Sequence, residues 1–306
     1  MSKSTYIFSF LVVAQLFLIS ADVKIDKTLY YFNSLKSLEG VKISHSPGVY
    51  NTSINLTIDL GSVKDLEIQT ITSHGYKRVD KSISITEPTV LRIRYTDNEG
   101  NKRNFTGNYI VNANHQIPIV ALVVDSNDFF PPNGIYEGRM EANPNGGEPI
   151  KIGKAWNKQP ITGYAQFFFN NKLVEELELD IKTYGGMTLG WKEKSLQLSA
   201  RKTLHGEGKI NVKLFENIPQ REFQHVVLRT SGNDQNKSRV KDMSISHVAD
   251  DVNVNTKASR QVALYINGQY WGIHNLREKV NGDYFEERYN WKKNEFLEIQ
   301  GSGFGN

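Results

Sequence analysis

The sequence predicts a mainly β, α+β protein in two parts: an antiparallel β-sandwich over residues 38–113, then an α+β domain over residues 117–306. Three features carry that expectation. Short runs such as "SINLTIDL", "LEIQTIT", "SISIT" and "TVLRIRYTDNEGN" alternate with Gly, Pro and Asn, the pattern of a sandwich with tight turns. After the linker "NANHQIP", "IPIVALVVDSNDFF" is continuously apolar, as in a strand buried on both faces. A single convincing helix pattern follows, over Lys237–Val252, where Val240, Met243, His247 and Val248 recur on one face.

The elements follow in order. Lys3 precedes the uncharged run "YIFSFLVVAQLFLISA", and Ala21 offers a small residue before "DVKID". This predicts a signal peptide over 1–21 and export to the extracellular space, the cell surface or a periplasm. An uncut N-terminal anchor is the alternative. No integral membrane segment is expected after signal removal. The 306 residues contain no cysteine, which excludes disulfides, thiol chemistry and a Cys-based zinc site. A net charge of +4 without Lys/Arg blocks gives no case for nucleic acid as a partner. Sequons begin at Asn51, Asn55, Asn104 and Asn236 and matter only in a eukaryotic secretory pathway.

In the second part, strands are expected at "GYAQFFFNN", "LVEELELDIKTYGG", "KSLQLSAR", "INVKLF" and "HVVLRT". "VALYINGQYWGIHNLREK" is a hairpin about Asn267-Gly268, a pair suited to the positive φ of a type I′ turn. Two-residue pairing sets Tyr265 opposite Tyr270, Leu264 opposite Trp271 and Val262 opposite Ile273. Val262, Leu264, Trp271 and Ile273 then share one apolar face, and Ala263, Tyr265, Tyr270 and Gly272 the other. A hairpin apolar on both faces belongs inside a domain, with Arg277, Glu278 and Lys279 emerging at its end, in a cleft or in solvent.

Four blocks in order, "IPIVALVVDSNDFF…NGIYEG", "DIKTYGG…GWKEKSLQLSAR", "VVLRTSGNDQNKSRVKD" and "ASRQVALYINGQYWGIHNLREK", resemble the CotH family of spore-coat-like atypical protein kinases from about Ile117 onward. The preceding "SHSPGVYNTSINLTID" and "TVLRIRYTDNEG" resemble the small β-sandwich at the C-terminus of chitobiases and hexosaminidases. The CotH resemblance implies a divergent, partial kinase-like fold that uses ATP and Mg²⁺ to phosphorylate hydroxyls of a secreted or surface protein. Such transfer needs cations for the phosphates, carboxylates for metal and a carboxylate near the incoming hydroxyl. Lys194, in "EKSLQL", is the candidate phosphate contact, and Glu278 its candidate partner, as a kinase strand lysine pairs with a glutamate. Lys241, near a helix start where relatives tend to have Arg, and Arg277 complete the expected ATP-binding set. Each charge could equally be a solvated strand or helix end.

The metal-holding part has no counterpart in the sequence. Relatives carry a "WDFD"-like motif beyond "LREK", whereas this sequence contains no Trp-Asp and no Asp-x-Asp, and its Asp-Phe, at Asp128, falls in the wrong block order. No catalytic residue and no metal ligand is therefore assigned, and the chain is expected to be inactive alone, as a fragment or a shortened family member. A non-catalytic binding or adhesion protein on the same scaffold is the alternative, and carbohydrate binding through the sandwich a third. The remaining patterns carry less. The tail "GSGFGN" lacks the Lys of a phosphate loop, and the seven histidines show no metal-ligand spacing. Glu176, Glu178 and Asp180 are expected on the solvent face of an edge strand, with a glycosidase carboxylate pair as the rival reading.

Overall fold

The computed structural model describes residues 40–297 apart from 60, 203–207, 251, 253–255 and 293. The signal-like run and the Gly-rich tail lie outside the described residues. As the sequence predicts, the protein is mainly β, with few helices.

Eight strands come first: β1 (Lys42–Ile43), β2 (Gly48–Tyr50), β3 (Ile54–Asp59), β4 (Lys64–Thr72), β5 (Gly75–Arg78), β6 (Ser82–Ile85), β7 (Thr89–Thr96) and β8 (Lys102–Val111). Strict alternation along β3 buries Ile54, Leu56 and Ile58 and exposes the residues between them. The small sheet β1-β3-β6 turns this face onto Ile68, Leu91, Ile93, Tyr95, Phe105 and Tyr109 of β4, β7 and β8, making a two-layer core. Asp97 shapes the β7–β8 turn. Its carboxylate accepts from the Asn101 amide at 2.8 Å and from Arg103 Nε at 2.7 Å.

The second part comprises β9 (Ile119–Val124), α1 (Ser126–Phe129), β10 (Arg139–Glu141), β11 (Ile150–Ile152), β12 (Ile161–Phe169), β13 (Lys172–Tyr184), β14 (Ser195–Ser199), β15 (Ile210–Asn211), β16 (Glu222–Phe223), β17 (His225–Arg229), α2 (Lys241–Asp250), β18 (Ser259–Ile266), β19 (Gln269–Glu278) and α3 (Gly282–Tyr289). Seven strands pair in a closed ring, β12-β9-β18-β19-β17-β14-β13 and back to β12. Every pair is antiparallel except β9 with β18. Alternate residues of each strand fill the interior: Val120, Leu122 and Val124; Ala165 and Phe167; Leu177, Leu179 and Ile181; Leu196 and Leu198; Val226 and Leu228; Val262, Leu264 and Ile266; Leu276.

The ring explains the unbroken apolar run of β9. Its even residues face the barrel core, while Ile119 and Ala121 pack outward with Val49 and Ile110 of the sandwich, and Val123 with Ile71 and Val90. The two parts also share a buried polar junction. Gln166 Oε1 accepts from the Asn108 amide and from Asn108 Nδ2, both at 2.8 Å, and Gln166 Nε2 donates to Glu176 Oε2 at 2.7 Å.

Three expectations are corrected. First, β13 is no edge strand: it is paired on both sides, Glu176 also accepts from Tyr164 Oη at 2.5 Å, and Asp180 is ion-paired to Arg201 at 2.6 Å. Second, the hairpin register holds only at the turn, where Tyr265 faces Tyr270. A bulge then shifts it, so that Leu264 faces Gly272 and Val262 faces His274. Gly272, at φ +102°, supplies the backbone shape the bulge needs. The shift sends Ile273 to the Ala263 face and places His274 in the inward row. Third, α2 starts at Lys241, because Arg239 takes a left-handed conformation at φ 62° and interrupts the longer helix. Its apolar side is not buried: Ile245 and Val248 are 59% and 68% exposed. The helix docks instead through Asp242 and Ser246, which meet Arg277.

Candidate functional site

Lys194 stands just before β14 and continues the inward row of Leu196 and Leu198, which puts its side chain at one end of the barrel. It is 3% exposed. Tyr136 covers it from the segment after α1. The Tyr136 hydroxyl accepts from the Lys194 amide at 2.8 Å and from Trp271 Nε1 at 3.1 Å, and its ring lies 5.0 Å from Lys194 Nζ. Phe129 stacks on Tyr136, and Phe130 and Trp271 complete an aromatic wall. Gly138 allows the close crossing, since a Cβ there would stand 2.6 Å from the Leu189 carbonyl and 3.0 Å from Lys194 Cε.

These groups line a cavity of about 580 Å³, together with Glu137, Arg139, Trp191, Glu193 and Tyr270. That volume is in the range of small-molecule sites, roughly 300–1,000 Å³. Lys194 Nζ donates to the Trp191 carbonyl at 2.6 Å. Desolvation lowers its pKa to about 8, against the opposing charge of Glu137. An ammonium has three donors, so donors remain for a ligand.

Behind the cavity, Arg239 donates to Glu193 Oε1 at 2.8 Å and to the Ile273 carbonyl at 3.4 Å. His274 is 1% exposed, with the Gly272 backbone beside its ring, and among the described residues Glu193 Oε2 has no hydrogen-bond partner. Burial lowers the His274 pKa to about 4, so the ring is neutral at physiological pH.

Of the four residues the sequence singled out, only Lys194 lines this cavity. Glu278 lies at the opposite end of the barrel, where its Oε2 accepts from the Ala258 amide at 2.6 Å and from Arg288 Nη1 at 2.5 Å. Through Val226, Glu278 is level with Leu198 of β14. It therefore sits about 13 Å along the strands and about 10 Å across them from Lys194, and the expected Lys194–Glu278 pair does not form. Arg277 is buried on the outer face and ion-paired to Asp242, which also meets Arg229 Nε at 3.0 Å. Lys241 is exposed at the start of α2, its amide donating to Asp234 Oδ2 at 3.1 Å. The guanidinium that does approach the cavity is Arg239, two residues earlier. "SRVKD" contained it, and only its left-handed backbone, invisible in the sequence, turns it that way. Tyr136, Glu137 and Trp271 were also not singled out, because their convergence depends on ring closure.

Residues 181–305 match the family described as CotH kinase protein. The C-terminal region of the chain is CotH-like. The match begins on β13, later than the expected start at Ile117, and takes in Lys194, Arg239, Lys241, His274, Arg277 and Glu278. Phe130, Pro131, Tyr136, Glu137, Gly138 and Arg139, about half of the cavity wall, precede it. No curated protein matches the chain. Among the described residues no helix is long and apolar enough to cross a membrane, and no three His, Asp or Glu side chains group to hold a metal ion.

Proposed function

We propose that the cavity at the Lys194 end binds ATP, its aromatic walls taking the base and the Lys194 ammonium the phosphates, in the service of CotH-type phosphoryl transfer to a protein hydroxyl. One observation supports this most: a buried ammonium, fixed on a strand and tethered by a single carbonyl, lines an aromatic cavity of about 580 Å³. A π-rich wall suits a purine, and a desolvated cation binds phosphate more strongly than one in water. Tyr136 would hold Lys194 in place through its amide, and the Arg239–Glu193 pair would fix the back wall.

The nucleotide suits these residues, but Mg²⁺ does not. Glu137 Oε1 is ion-paired to Arg139 at 2.7 Å and Glu193 Oε1 to Arg239 at 2.8 Å, so each carboxylate already neutralises a guanidinium, and among the described residues no three carboxylate or His side chains group to hold a metal ion. Mg²⁺ would neutralise charge on the transferred phosphoryl group, and no residue described here is assigned to hold it. The same commitment of both carboxylates favours a second reading, a non-catalytic nucleotide-binding protein on this scaffold. We also propose export, on the strength of the apolar run over residues 1–21.

Calorimetric titration of ATP into the full chain, with and without Mg²⁺, tests the proposal on wild type and Lys194→Ala. Binding by wild type, largely independent of Mg²⁺ and weakened about tenfold or more by the substitution, is expected. No binding by wild type, or equal binding by both, would refute it.

A further inference from the structure

A second cleft lies on the outer side of the same barrel end. Ser195, one residue past Lys194, points the opposite way along the strand. Tyr184 pairs with Ser195, Arg229 pairs with Asn275, and the Leu196–Leu228 pairing sets Ser195 beside Arg229. This cross-strand row floors a cleft of about 260 Å³, walled by Gly185, Gly186, Thr188 and Asn233.

The chemistry of the cleft is one-sided. Among the described residues, Arg229 is the one charged side chain that lines it, and no carboxylate does. Asp242, behind Arg229, is shared with Arg277, so one negative charge serves two guanidiniums and a positive charge remains. Arg229 Nε lies 3.0 Å from Asp242 Oδ2 but is not aligned to donate, and the Nη groups are not needed for that contact. Ser195 Oγ accepts from the Thr230 amide at 3.1 Å and shares a hydrogen bond at 3.3 Å with Thr230 Oγ1; with the Thr230 hydroxyl as donor there, the Ser195 O–H is left for a ligand. Thr188 Oγ1 and the Asn233 amide add two more donor groups. At Gly186 a Cβ would meet nothing within 4 Å, so the wall there is open space.

We propose that this cleft is an oxyanion site for a phosphate group, with Arg229 as the charged anchor and Thr188, Ser195 and Asn233 as the neutral donors. A fork of guanidinium donors matches phosphate oxygens in geometry as well as charge, and the absence of a facing carboxylate removes the usual competitor. The site is separate from the Lys194 cavity and does not depend on a nucleotide binding there. Free phosphate and a nucleotide phosphate present the same recognition chemistry.

The test is a titration of inorganic phosphate into the full chain carrying Lys194→Met, which removes the ammonium of the other cavity, followed by ³¹P line broadening, alone and combined with Arg229→Met or Thr188→Val. The Lys194→Met chain binds, adding Arg229→Met weakens binding about tenfold or more, and adding Thr188→Val weakens it roughly threefold. Thr188→Val leaves the Asp242 ion pairs intact, so its effect cannot come from their loss. ATP then identifies the source: displacement of bound phosphate assigns the cleft to nucleotide phosphates, and coexistence assigns it to free phosphate. Absence of phosphate binding by the Lys194→Met chain, or equal binding with and without the two cleft substitutions, would overturn the site.

Discussion

The two ends of the barrel bury charge in opposite ways. At the Glu278 end the carboxylate receives a backbone amide and a guanidinium, and neighbouring Glu287 takes Lys209 and the Gln224 amide. At the Lys194 end an ammonium keeps donors free, Glu193 has an oxygen unpartnered among the described residues, and a cavity stands open. Saturated polar groups brace a fold, whereas unsaturated ones beside a cavity are available to a ligand. The difference separates residues that sequence alone had grouped into one site.

The largest expected effect is at the saturated end. Glu278→Ala leaves the half-buried Arg288 guanidinium and the Ala258 amide without their shared acceptor, and a loss of about 3–5 kcal/mol is expected from denaturant unfolding. A cost under about 1 kcal/mol would mean that this end is not braced as described. At the open end, His274 is titratable against a pKa lowered by burial. Its folded pKa of about 4 lies below the unfolded value of about 6.5, so the unfolded chain takes the proton first. The stability is fully present above about pH 6.5 and falls as pH drops toward 4, by up to roughly 3 kcal/mol. His274→Leu should flatten the unfolding free energy over that window, and an unchanged slope would exclude His274 as its source. Smaller again is the junction. Gln166→Leu strands Asn108 and leaves Glu176 with Tyr164 as its donor, and a loss of about 1–3 kcal/mol is expected in the same unfolding experiment. No loss would show that the two parts are not locked through this network.

Much of the fold was legible because periodicity reports local burial. The alternation in "INLTID" and the unbroken "IVALVV" identify one-sided and two-sided strands before any pairing is known. Ring closure was not legible, since the β9–β12 and β9–β18 partnerships are long-range. The carboxylates of β13 read as solvated because the sequence does not show the Tyr164 and Arg201 partners that hold Glu176 and Asp180. The bulge at Gly272 was equally hidden: a two-residue turn fixes the register only until an extra residue intrudes, and His274 moved inward on that account. Lys194 was found through its strand context. Glu278 was grouped with it because sequence blocks carry no distance, and only register shows that they stand at opposite ends.

The central claim is that the Lys194 ammonium, alone among the expected four residues, holds phosphate. Measuring ATP affinity of wild type and Lys194→Met from about pH 6.5 to about 9.5 tests it most directly. Burial sets the Lys194 pKa to about 8, so the charged form that attracts phosphate is lost as pH rises through that value. Wild-type affinity is predicted to hold below about pH 8 and to fall above it, while Lys194→Met binds weakly and without that inflection. A flat wild-type profile, or the same inflection in Lys194→Met, would contradict the account.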